Sequence, residues 1–155
     1  MASVRMQIFD AVEAKLELVR DALDWALVLR DPRVPVGEDQ MNALVLGTGG
    51  DMVPGNLTGH VATHELEFSV GMIVVETESA CAEELLDAGF VAVSNALLDP
   101  QDIQLGGLAV DVRRGAMTPP FIGTSKSGAR IVGVQEIEFT VDYWAREGDA
   151  ELPGP

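Results

Sequence analysis

The side chains able to do chemistry are few and scattered. Gly47-Thr48-Gly49-Gly50-Asp51 has the glycine density of a phosphate loop. A Walker-type loop, however, runs through a Lys-Ser/Thr pair into a helix, and the dinucleotide fingerprint also opens one. Met52-Val53-Pro54-Gly55 follows instead, so the stretch reads as a turn. His60 and His64 with Glu65 suggest a metal site, but in an extended segment four residues separate two rings by about 13 Å, beyond the reach of one ion. They are expected to be solvated or interface histidines. Cys81 falls in the first turn of an expected helix, where the dipole can lower a thiol pKa. With no His and acid pair beside it, it reads as a packing residue. The carboxylates of residues 131–145 could supply a glycosidase pair, yet they are spread evenly along one face. No catalytic residue, metal or cofactor is therefore expected.

Two basic islands, Arg113-Arg114 and Lys126 with Arg130, interrupt an acidic chain. One reading is scattered surface charge. The sharper one is that they meet carboxylates of a neighbouring subunit, where opposite potentials orient association and set register more than they add affinity.

The elements that must carry these residues show in the spacing of apolar side chains. Ile137, Phe139, Val141 and Tyr143 alternate with Glu136, Glu138, Thr140 and Asp142, which predicts a strand over 131–145 with one oily and one acidic face. Leu66, Phe68, Val70, Met72 and Val74 alternate with Glu65, Glu67 and Ser69, a matching strand over 65–76. Such a sheet covers a helical layer with its apolar side and shows an anionic wall on the other. Phe9, Val12, Leu16, Val19 and Leu23 recur every three or four positions and predict a helix over 3–24. Ala82, Leu86, Phe90, Val93 and Leu97 predict a second, capped by Thr77 or Ser79 and ended by Asp99-Pro100. Short strands are expected at 25–29, where the alternative is a continuation of the first helix, at 42–46 and at 108–112, with loops at 32–40 and 47–59 and an arm at 115–128. The fold class is α+β: a mainly antiparallel sheet with two amphipathic helices on one face, one domain over 1–146, and a flexible acidic tail over 147–155.

Composition narrows the function classes. The 155 residues fit one domain, and 25 acidic against 10 basic side chains give a formal net charge of -15, which disfavours tight binding to phosphate backbones. A single cysteine excludes an internal disulfide and suggests a reducing, cytoplasmic setting. No signal peptide or membrane span is expected.

In order and pattern the chain resembles the tail terminator (tail completion, minor tail) proteins of long-tailed bacteriophages and gene transfer agents. The resemblance covers residues 3–145. It is carried by the N-terminal helix, the alternating strand, Ala96-Leu97-Leu98-Asp99, Leu105-Gly106-Gly107-Leu108-Ala109-Val110-Asp111-Val112, the Gly/Ser-rich arm, and Glu138-Phe139-Thr140-Val141-Asp142-Tyr143. The region 32–59 departs from the family outline. The resemblance implies a non-enzymatic virion protein, assembled in the host cytoplasm. It would form a ring, generally a hexamer, that caps the head-proximal end of the tail tube, ends its polymerisation and offers an interface for head-tail joining. Its partners would be itself, the tail tube protein and head-tail connector proteins, with DNA only passing through the channel. Glu65, Glu67, Glu136, Glu138 and Asp142 would line that channel, and Arg113, Arg114, Lys126 and Arg130 would make subunit or partner contacts. Another head-tail connector (neck) protein is the near alternative; a small cytoplasmic ligand-binding domain or enzyme, with a site built from 48–60, is the distant one.

Overall fold

The computed structural model describes residues 2–53, 61–146 and 149–153. In chain order the elements are α1 (Val4–Leu23), β1 (Leu27–Arg30), β2 (Ala43–Met52), β3 (Val61–Val75), α2 (Ala82–Leu97), β4 (Asp111–Met117), β5 (Phe121–Thr124), β6 (Ile131–Arg146) and β7 (Asp149–Pro153). The fold is α+β. The sheet runs β1-β2-β3-β6-β4, with β5 and β7 also paired to β6. Only the β1–β2 pairing is parallel.

Helix α1 starts where Ser3 Oγ accepts the Met6 N–H at 3.3 Å. It buries Val4, Ile8, Phe9, Val12, Leu16 and Val19, each contributing about 1.5–3 kcal/mol of transfer free energy. It stops at Asp24, whose left-handed backbone (φ 57°) a short polar side chain tolerates. Helix α2 is capped at Cys81 rather than at Thr77 or Ser79, and the first free N–H, on Ala82, is taken by the Glu76 carboxylate at 3.2 Å. A carboxylate at a helix N-terminus meets both the unpaired donors and the dipole. Lys15 ties the helices together: its Nζ donates to the Ala96 carbonyl in the last turn of α2 and to the Asp102 carbonyl, both at 3.2 Å. At Gly89 a Cβ would lie 2.7 Å from the Trp25 ring and 2.8 Å from Met72 Sδ, so only glycine lets α2 settle there.

Three loop expectations fail for identifiable reasons. The stretch expected to be a turn at Gly47 continues β2 as far as Met52, because its glycines are sites of close backbone approach. A Cβ on Gly47 would sit 2.6 Å from Ser69 Oγ, and one on Gly49 2.6 Å from the Glu67 carbonyl. The expected arm at 115–128 is instead strand and hairpin: β4 runs to Met117, Thr118 N–H donates to the Glu136 carbonyl at 2.9 Å, and β5 pairs with Ile131 to Val134. A turn closed by Ser125 N–H on the Arg130 carbonyl joins β5 to β6. The expected tail contains β7, paired with β6 at Ala145 and Arg146. The brief strand expected at 108–112 starts later, at Asp111, because Leu105–Gly107 forms a 3-10 turn whose two glycines have φ of 69° and 94°.

Candidate functional surface

β3 and β6 pair over their whole described length, from Val61↔Arg146 to Val75↔Val132. Directly opposed residues share a face. One face is therefore Leu66, Phe68, Val70, Ile137, Phe139 and Val141, buried under the helices, and the other is Glu65, Glu67, Ser69, Glu136, Glu138, Thr140 and Asp142. The five sequence-predicted channel residues thus lie together on the sheet face opposite the helices. Glu67, Glu136 and Glu138 line a shallow concavity with Gly49, Ser69, Gly115 and Thr140. Glycines at 49 and 115 leave that floor low: a Cβ on Gly49 would lie 2.6 Å from the Glu67 carbonyl, and one on Gly115 would rest in ordinary contact with Glu138.

The acidic face is not uniform. Arg113, opposite Thr140 on β4, grips Asp142 through Nε and Nη2 at 3.0 and 2.9 Å and reaches Glu65 at 3.7 Å. The Asp142 hydrogen bond and charge hold the guanidinium pKa above its usual range. The pair is half exposed, so it contributes at most about 1 kcal/mol, but it neutralises part of the wall.

The residues of the two basic islands have different surroundings. Arg113 serves its own sheet, and Arg114, one residue on and facing the helices, lies over the Phe90 ring at 5.4 Å. Lys126 and Arg130 sit on the β5–β6 turn, exposed, with no carboxylate in ion-pair range among the described residues.

One cluster escaped sequence reasoning. On the helix side of the sheet Tyr143 donates a short hydrogen bond to Asp51 Oδ2, the other Asp51 oxygen lies 2.9 Å from His64 Nδ1, and the His64 and Tyr143 rings stack with centroids 4.7 Å apart. Burial first, and the Asp51 bond second, raise the Tyr143 pKa far above the ordinary phenol. His64 is thus largely shielded from solvent, its side chain 18% exposed and hydrogen-bonded within the chain; His60 lies outside the described residues. Asp51 reaches this side because β2 carries one extra residue: Thr48 opposes Phe68, yet Asp51 opposes Leu66. A bulge of this kind re-aims every side chain beyond it. Parity along β3 was the available signal for His64, two positions before Leu66.

Cys81 is partly buried at the α2 N-cap. Among the described residues no group of three or more His, Cys, Asp or Glu side chains is placed to hold a metal ion, and no helix is long and apolar enough to cross a membrane. No protein-family model matches the sequence, and no curated protein matches it.

Proposed function

We propose that the chain is a virion structural protein. It forms a ring on the head-proximal end of a phage tail tube, ends tube polymerisation and provides the surface to which the head connector binds. The observation that carries this reading is the uncovered acidic sheet face. Two strands of fifteen and sixteen residues display Glu65, Glu67, Glu136, Glu138 and Asp142 on the side away from the helices. Turned towards a bore, that face repels DNA phosphates at close range, since charges in physiological salt are screened over about 8 Å. Passage without adsorption is the consequence. Arg113 confines the repulsion to the Glu67, Glu136 and Glu138 stretch.

Reversing Glu136 and Glu138 to Lys tests the bore assignment. Particles should assemble with normal tails but deliver DNA poorly, and undiminished infectivity would contradict it.

A second reading is a small ligand-binding domain or enzyme, and the Asp51–His64–Tyr143 cluster is the one observation favouring it. The Tyr143 ring is buried and its hydroxyl is already committed to Asp51, which suits a structural clasp better than a site that must exchange protons with a substrate.

A further inference from the structure

The outer sheet face changes character along its length. Towards the β5 end its carboxylates give way to Ile73, Val134 and Phe121, which lie side by side across three strands. Val134 is 39% and Phe121 68% exposed. The Phe121 ring lies over Gly123, where a Cβ would come within 3.0 Å of it, and Gly123 opposes Val132. Val132 in turn helps line an open groove whose other wall is Pro35, Val36 and Met41 and whose rim includes Lys126. The groove is thus apolar inside, with Lys126 on its rim and Arg130 on the same turn, and neither cation has an ion pair among the described residues.

Resting on the ring reading above, the geometry points to a second copy of this chain as the occupant: the groove takes the exposed ridge of the neighbour's α2. That ridge supplies the matching chemistry. Glu83, Glu84, Asp87, Ala88 and Val91 are all exposed, so α2 presents three carboxylates on its first turns and then small and apolar residues. No carboxylate of the ridge is within ion-pair range of a cation among the described residues. Carboxylates facing Lys126 and Arg130 fix the register, while Ala88 and Val91 reach the Phe121 and Val132 wall.

The two surfaces are on opposite sides of the molecule. A Cβ at Gly133 would touch Leu86 and Ala82 of α2, whereas Val132 and Val134, its neighbours, point the other way. Contact between two unlike patches on opposite sides is heterologous, which propagates head to tail and closes into a ring when the rotation allows. The stretch bearing Glu136 and Glu138 lies farther along β6 and stays uncovered.

Charge reversal tests the contact. Tip variant Lys126→Glu/Arg130→Glu and helix variant Glu84→Lys/Asp87→Lys change exposed residues only, so circular dichroism should match the parent. In sedimentation velocity over a concentration series, the parent should self-associate and each variant should do so at least tenfold more weakly. Mixing the two variants in equal amounts should restore assembly, because reversed tip then meets reversed ridge and native tip meets native ridge. A Cys81→Ser chain carrying Phe121→Cys and Val91→Cys should form a covalent ladder on oxidation. Reversal variants that assemble like the parent overturn the contact and leave the ring reading standing. Parent and double-cysteine chains that stay monomeric throughout overturn the contact, and labelled parent chain absent from tail-tube ends removes the ring reading as well. Mixed variants that assemble no better than either alone overturn it too.

Discussion

Replacing Tyr143 by Phe removes one oxygen from a buried cluster and leaves the ring in place. The hydroxyl donates to Asp51, a bond to a charged acceptor of the kind that contributes about 1.5–3 kcal/mol. Asp51 keeps its His64 contact at 2.9 Å and a side chain that is 20% exposed, so solvent makes good part of the loss. The expected cost is about 1–2 kcal/mol, a fall in Tm of about 3–6 °C for a domain of this size. The alkaline limb separates the two proteins further. Burial and Asp51 raise the pKa of folded Tyr143, while the unfolded phenol ionises near pH 10. The stabilisation is therefore complete below about pH 10 and is lost as pH rises towards the folded pKa, at a limiting slope of about 1.4 kcal/mol per pH unit. Since the chain has one tyrosine, that component belongs to Tyr143 alone. Urea denaturation of both proteins between pH 7 and 11 reads the two effects together. Equal midpoints at pH 7, or parallel declines above pH 10, would refute the clasp.

Gly89→Ala should destabilise by about 1–3 kcal/mol in the same urea titration, because its methyl would press on Trp25 and Met72 in a packed layer; an unchanged midpoint would mean that the helix can move off the sheet freely. Ser94→Ala should be neutral or stabilising by up to about 1 kcal/mol, since Ser94 Oγ is buried without a hydrogen-bond partner among the described residues and alanine is the better helix former. A clear loss of stability there would show that the hydroxyl is satisfied.

Most of the fold was legible because its long elements obey one period each. Apolar residues hold every second position from Leu66 to Val74 and from Ile137 to Tyr143, and the registers pairing Glu65 with Asp142 and Gly71 with Glu136 preserve both faces. What periodicity could not show is where the backbone needs glycine for lack of room. Gly47 and Gly49 look like a flexible turn in sequence but sit in β2 against Ser69 and Glu67. The 115–128 arm was misread similarly: its prolines and glycines mask β5, a four-residue strand too short to display a period. The Asp51 cluster was hidden by a one-residue bulge, which no pattern count registers because it reverses parity within a single strand. The acidic face was visible beforehand, whereas its local neutralisation by Arg113 was not, because that ion pair joins residues 29 positions apart.

The most direct test is growth of the tail tube itself. Tube protein from the same particle, polymerised with and without the purified chain, should give in electron micrographs short tubes of arrested length with a ring on one end only when the chain is added. Tubes that lengthen equally in both, with bare ends, would contradict the capping role.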